Sequence, residues 1–327
     1  MLLQHSKIKF KILFSLLLAI IPFIIFIFVL FDLWYDTRRE LVIKENLTVA
    51  AIMADAVNAY FTTGIDIANI LSQKELNNLF KKADILDKPE EIHLILKSVN
   101  NQLPLLSSIT LVNPQGKIIA SSIPFSEIES DFSVSDRGYF QRTLNTGKMQ
   151  SSDVLTGRIT GKTIIMTSSP VFEDNQIASV VLAATDLNEL QKNLKSLLPE
   201  SSGKNSDIYL VNKSGKVIFS LLKDLPEGES IDLSTLPAIQ LAATGKEAVI
   251  DGSKLPNSNV TVLGAAVPVK RSNRDNIEWI LVSVTATENI FLPVIRAQSF
   301  LWILILISTL FALTLISLVL RKIKIIY

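Results

Sequence analysis

The sequence predicts an α+β protein: a long N-terminal helix and two tandem modules with antiparallel sheets, flanked by two transmembrane helices. Three observations lead to it. Two uncharged runs are long enough to cross a bilayer, an apolar stripe at helical spacing follows the first, and one strand–turn–strand pattern occurs twice, 99 residues apart.

The first run, Ile12 to Phe31, holds 20 residues without a charge. At about 1.5 Å per residue that crosses a hydrocarbon core of about 30 Å. A cleaved signal peptide has a shorter apolar region and a small-x-small site. Here bulky Leu33-Trp34-Tyr35 follow, so the run is read as a retained anchor. The second run, Ala297 to Leu320, has 24 residues between Arg296 and Arg321. Lys7, Lys9 and Lys11 precede the first span, and Arg321, Lys322 and Lys324 follow the second. Cationic flanks stay cytoplasmic. Residues 1–11 and 321–327 are therefore expected inside and residues 32–296 outside, with Arg38 and Arg39 offset by Asp32, Asp36 and Glu40.

Six of the 32 Lys and Arg residues flank the spans, which leaves 26 against all 31 Asp and Glu in the exterior part. That part is thus net negative, which argues against nucleic acid or an anionic lipid surface as its partner. There are no cysteines, so disulfides, thiolate metal sites and thiol catalysis are excluded.

Residues 32–104 form a stalk and helical region. Val42, Val49, Ala56, Thr63 and Ile70 recur every seven residues, with Ile52, Ala59 and Ile67 between them, so one helix is expected from Leu33 to about Lys82. Gly64 is its weak point. The stripe either packs on the chain's own modules or forms the seam of a homodimer. A second helix is expected over Pro89 to Asn101, ended by Pro104.

The repeat then sets the two modules, 105–198 distal to the membrane and 199–296 proximal to it. Ile109-Thr-Leu-Val-Asn113-Pro-Gln-Gly116-Lys-Ile-Ile119 matches Ile208-Tyr-Leu-Val-Asn212-Lys-Ser-Gly215-Lys-Val-Ile218. β-Branched residues flank an Asn-x-x-Gly turn in each. Ser169-Pro170-Val171 with Ile177 to Leu182 likewise parallels Val267-Pro268-Val269 with Ile277 to Val282. Leu187 to Leu198 joins the modules as a helix, and 199–205 is a turn-rich linker. Glu288 to Gln298 continues helically into the second span, with a kink expected at Pro293.

One segment is more specific. Ser135-Asp-Arg137-Gly-Tyr139-Phe140-Gln141 is followed by Thr146-Gly147-Lys148, Thr160-Gly161-Lys162, Ser169-Pro170-Val171 and Asp186-Leu187. In this order and spacing the chain resembles the double Cache (dCache) family, the PAS-like extracytoplasmic sensors of bacterial chemoreceptors, sensor histidine kinases and diguanylate cyclases. The resemblance implies two PAS-like modules, each with an antiparallel sheet cupped around a pocket. It places the chain in the bacterial inner (plasma) membrane, with a small ligand in the distal module. Output domains in that family follow the second span; here seven residues follow it, so the output is expected on a longer form of the chain or on a separate polypeptide.

Five residues are candidates for the ligand site. Arg137 can grip a carboxylate with two parallel hydrogen bonds, or pair with Asp136 or Asp131. Tyr139 and Phe140 form an aromatic wall or pack in the core. Asp186 matches the family's closing Asp, which pairs with a ligand ammonium; it also reads as a helix N-cap with Glu189 as its capping-box partner. Asp153, with Ser152, lies on a segment that lines the pocket in the family. Amino-acid-binding subfamilies carry Arg-x-Trp-Tyr and then another Tyr, where this chain has Arg137-x-Tyr139-Phe140 and Leu155. The ligand classes implied are amino acid, amine or carboxylate.

Enzymatic and cofactor chemistry find no support. His5 and His93 are the only histidines, too few for a Ser-His-Asp set or a His-rich metal cluster, and no Gly-x-x-x-x-Gly-Lys-Ser/Thr loop is present. The function expected is a transmembrane sensor that binds a small solute and relays a conformational change, with a membrane-anchored binding or structural module as the alternative.

Overall fold

The computed structural model describes residues 2–72, 89–128, 131–198, 206–222, 231–256, 260–270 and 279–326; side chains are described from Ile21 on, apart from Phe23, Pro89, Ala312 and residues 315–326. Helix α1 is a single element, Leu2–Leu71. The part of the expected stalk helix beyond Ser72 lies outside the described residues. Helix α2 spans Pro89–Asn101, as the sequence indicates.

The first module follows as β1 (Leu106–Val112), β2 (Ile118–Ser121), α3 (Gly138–Thr146), β3 (Gln150–Thr156), β4 (Thr163–Glu173) and β5 (Gln176–Asp186). Helix α4 (Leu187–Ser196) leads to the second module: β6 (Ser206–Asn212), β7 (Val217–Ser220), α5 (Pro237–Ala242), β8 (Ala248–Lys254), β9 (Thr261–Pro268) and β10 (Trp279–Ala286). Helix α6, Thr287–Ile326, runs through Pro293 as one element. The two sheets have the same order, β2-β1-β5-β4-β3 and β7-β6-β10-β9-β8, and every pairing is antiparallel. The sequence repeat is thus a repeat of topology.

Its turns are built by the same atoms. Asn113 Oδ1 accepts from the N–H groups of Gln115 and Lys117 at 3.1 and 2.9 Å, and Asn212 Oδ1 accepts from Lys216 N–H at 2.9 Å. The glycines complete the turns at φ +79° (Gly116) and +91° (Gly215). A Cβ on Gly215 would stand 2.5 Å from the Ser234 backbone. Gly215→Ala is therefore expected to cost about 1–3 kcal/mol from strain and backbone displacement together. Equilibrium denaturation checks this; a loss below about 0.5 kcal/mol, the range of an ordinary surface change, would contradict the turn geometry.

Helix α1 lies along the backs of both sheets. Ala50, Met53, Ala54, Val57 and Phe61 share a core with Ile165 of β4, α4, and Ile208, Val267, Trp279 and Leu281 of the second sheet. Phe61 packs on Trp279 with ring centroids 4.2 Å apart. At Gly64 α1 passes close to β5, since a Cβ there would be 3.1 Å from Thr185 Oγ1. Lower down, buried Asn46 fixes the helix register: its amide donates to Thr285 Oγ1 (3.0 Å) and accepts from Ser283 Oγ (2.6 Å).

The sheet-facing positions differ from the seven-residue stripe. Of that stripe Val42 is buried and Val49, Ala56 and Ile67 pack at the edges of the cores, whereas Ile52 is 56% and Ile70 50% exposed, and Ala59 and Thr63 are exposed too. The helix packs on its own modules, but mostly with another face.

Helices α1 and α6 run side by side where they leave the second module. Tyr35 stacks on Phe291 at 4.0 Å, Phe28 meets Trp302 edge-on at 5.8 Å, and Arg39 pairs with Asp251 of β8. Two transmembrane helices are expected from the sequence. Among the described residues one segment, Thr287–Phe311 within α6, is long and apolar enough to cross a membrane. Half of the side chains of Ile12–Phe31 lie outside the described residues, although α1 runs through the segment.

Candidate ligand site

The first sheet has two differently employed faces. By strand alternation, Ser108 and Thr110 of β1, Ile164 and Met166 of β4 and Leu182 of β5 point to one side. Ile109, Leu111, Ile165, Val181 and Ala183 point to the other, towards α1 and α2. The first side is covered by the segment leading into α3 and by the β3–β4 hairpin. Between them lies a cavity lined by the five residues just named, by Phe132, Val134, Arg137 and Tyr139, and by Leu155, Gly157, Arg158, Ile159 and Thr160. Its volume is about 30 Å³, room for water-sized groups.

Arg137 and Tyr139 are brought together here. Arg137 is the N-cap residue of α3, placed by its own N–H donating to Val134 O at 2.9 Å, and it makes no side-chain cap bond. Among the described residues its guanidinium has no hydrogen-bonding or ion-pair partner. Asp136, its neighbour in sequence, is taken by Arg158: Nη1 and Nη2 donate to the two carboxylate oxygens at 2.8 and 2.6 Å. That pairing holds the Asp136 carboxyl below its ordinary pKa. Tyr139 is buried, and the loss of solvent pushes its phenol up to about 12, so the ring stays neutral at any physiological pH.

The other three candidates are not brought to this cavity. Phe140, one residue further along α3, turns into the core with Val112, Val134 and Val180. Asp153 is exposed, on the bulged stretch of β3 between Ser151 and Val154. Asp186 ends β5 and is buried, but its carboxylate is occupied. It caps α4 by accepting from Asn188 and Glu189 N–H (3.0 and 3.4 Å) and pairs with Lys162 Nζ at 2.7 Å. The capping role read from Asp186-x-x-Glu189 is the one observed.

Sequence reasoning missed Arg158, the second cation of the lining. Its partner Asp136 is 22 residues away, across α3 and β3, a separation with no local pattern.

The second module has the same scaffold without the cavity chemistry. Leu236 N–H donates to Leu233 O at 3.0 Å, as Arg137 does to Val134, and Gln240 reaches Ser234 O as Gln141 reaches Ser135 O. Leu236 therefore stands where the first module has Arg137, and Tyr209 stands where it has Thr110. Both are buried in a closed apolar core with Ile239, Ile250 and Val282. A larger side chain on the sheet and an apolar one on the covering segment fill what the first module leaves open.

The Cache domain family model matches residues 35–294. The chain belongs to the Cache domain family. Cache domains are extracytoplasmic sensors of membrane receptors, ligand-binding modules rather than catalytic ones. Among curated proteins it is similar to sporulation kinase D of Bacillus subtilis (strain 168), 25% identical over 210 residues, 63% of this chain and 38% of that one. The Cache chain thus spans little more than a third of the length of that relative. In fold it is similar to the sensory domain of Campylobacter jejuni chemoreceptor Tlp3, with TM-score 0.56 at 18% identity over 79% of this chain and 97% of that one. It is also similar to the ligand-binding domain of Pseudomonas aeruginosa PAO1 chemoreceptor PctB in complex with L-Gln, with TM-score 0.54 at 16% identity over 76% and 92%.

Proposed function

We propose that this Cache chain is the sensing part of a transmembrane receptor, with residues 32–296 outside the bacterial inner membrane, both termini cytoplasmic, and a small carboxylate-bearing solute bound in the first, membrane-distal module. The observation that carries the reading is the Arg137 guanidinium, which lines a cavity whose described lining holds two cations and no carboxylate. An unpaired guanidinium beside an apolar wall is matched by a carboxylate, which offers two acceptors at the right spacing. An amine would face like charge there. The ligand of PctB, L-Gln, and the isoleucine bound to Tlp3 each carry a carboxylate, which supports the reading.

The relay follows from the shared wall. Ile164 and Met166 face the cavity, while Ile165 between them packs on α1. A solute larger than the present space displaces the sheet or its cover, and the sheet cannot shift without moving α1 and, through the Tyr35–Phe291 stack, α6. The equilibrium moves only if the solute binds one arrangement more tightly. A homodimer gives that movement a partner: Ile52, Ala59, Thr63 and Ile70 are left exposed after α1 has packed on its own sheets. In this reading Ile52→Glu converts the full chain from dimer to monomer in sedimentation equilibrium, and an unchanged mass would remove the seam.

A thermal-unfolding screen of the full chain against carboxylates, amines, amino acids and nucleobases tests the ligand class. At 100 times its dissociation constant a true ligand adds about 2.7 kcal/mol of stability. Hits confined to amines or nucleobases would overturn the carboxylate reading.

A further inference from the structure

Arg158 has no role in the reading above, yet it closes the cavity that Arg137 lines. It stands in the β3–β4 hairpin, whose tip is a tight loop: Gly157 N–H donates to Lys162 O at 2.9 Å, and Gly161 N–H to Gly157 O at 2.8 Å. From there its guanidinium reaches the segment that leads into α3. Besides the two bonds to Asp136, Nη1 donates to Ser133 O at 2.7 Å. The hairpin is tied to the opposite rim by this one side chain, while Ile159 and Thr160 beside it form part of the cavity wall. At Gly161 the tip has φ +66° and open space where a Cβ would be, while on its β4 side it is held to its own sheet by Lys162 Nζ on Asp186 at 2.7 Å.

Three facts bear on what the tie does. A cavity of about 30 Å³ is well below the several hundred Å³ of an ordinary small-ligand site, so an organic solute needs a wall to move. The Arg158 and Asp136 side chains are 40% and 61% exposed, and ion pairs in such surroundings are weak and readily exchanged. Once the tie opens, the Arg158 guanidinium at the cavity rim is free to take another carboxylate. In the second module Leu236 replaces Arg137 and Tyr209 replaces Thr110, and among the described residues both are buried in an apolar core.

We propose that the Arg158–Asp136 pair is a latch on the ligand cavity, and that Arg158 exchanges Asp136 for a second acidic group of the ligand when the hairpin recloses, so that the site selects small dicarboxylates. This rests on the reading of Arg137 as the first carboxylate's partner. The ligand spans two guanidinium groups, one fixed by α3 and one carried by the movable hairpin. Asp136 acts as the ligand's competitor and holds Arg158 in place while the site is empty.

The test is calorimetric titration of the full chain in detergent micelles with succinate and glutarate, and with butyrate and valerate as their one-carboxylate counterparts. The wild-type chain is expected to bind a dicarboxylate at least about tenfold more tightly than its counterpart, the effect of one charge-assisted pair. Arg158→Gln is expected to bring that ratio close to one without changing the unfolding midpoint of the ligand-free chain. Asp136→Asn, which removes the competitor, is expected to tighten dicarboxylate binding several-fold. A ratio unchanged in Arg158→Gln, or monocarboxylates binding the wild type as tightly as dicarboxylates, would overturn the latch exchange and leave the carboxylate reading standing. Binding of none of the four acids to the wild type would overturn both.

Discussion

Replacing Arg137 by Ala is expected to weaken binding of a carboxylate solute by about 10- to 100-fold while leaving the ligand-free chain as stable as before. The affinity loss is that of a charge-assisted, two-pronged hydrogen bond, about 1.5–3 kcal/mol. Stability is spared because the side chain is only half-buried, makes no cap bond for α3, and has no hydrogen-bonding or ion-pair partner among the described residues. Titration calorimetry reads the first quantity and thermal unfolding without ligand the second. A variant that loses about 1 kcal/mol or more of ligand-free stability, beyond the range of a neutral surface change, would show Arg137 to be a structural residue. Arg137→Lys should recover part of the affinity, because it restores the charge without the fork.

The largest effect on stability is expected at Phe61. Its ring is 2% exposed, contacts Trp279 at 4.2 Å, and sits in the core that joins α1 and α4 to both sheets. Phe61→Ala should cost about 3–5 kcal/mol, the transfer of the ring plus the cavity left behind. Urea denaturation followed by tryptophan fluorescence measures it, with Trp279 itself as the reporter. Because α1 is the common backing of the two modules, the loss should appear as one cooperative transition. Two separated transitions, with the first module unaffected, would show that α1 does not couple them.

The modules were legible in the sequence because their signals are local. Asn113 and Gly116, like Asn212 and Gly215, make a turn out of four residues, and the flanking β-branched residues need no distant information. The helix over Pro89–Asn101 and the capping carboxylate of Asp186 were readable for the same reason. The packed face of α1 was not. Its buried positions include Asn46, Ala50, Ala54, Gly64 and Ala68, small or polar residues that let the helix lie close on the sheet and that a search for large apolar residues passes over. The stripe that did stand out is divided: Val42, Val49, Ala56 and Ile67 pack on the modules, and Ile52, Ala59, Thr63 and Ile70 are left exposed.

The site divides in the same way. Arg137 and Tyr139 were found because they stand two residues apart at the start of one helix, where cap geometry turns both towards the cavity. Phe140 shares the motif but, one residue on, α3 rotates it into the core. Asp186 was recognised as a carboxylate of interest, but Lys162, which occupies it, comes from the neighbouring strand end 24 residues earlier. Pairings across a sheet are set by register, and register is not visible in one sequence.

The most direct test of the central claim is hydrogen–deuterium exchange on the full chain, with and without the tightest carboxylate from the screen. The account predicts slowed exchange in 132–139 and 155–166 of the first module, together with altered exchange in the part of α1 from Ala50 to Ala68 that backs the same sheet. Protection confined to β6–β10, or protection at the cavity with α1 unchanged, would contradict it: the first would put the ligand in the wrong module, and the second would leave the cavity without a relay.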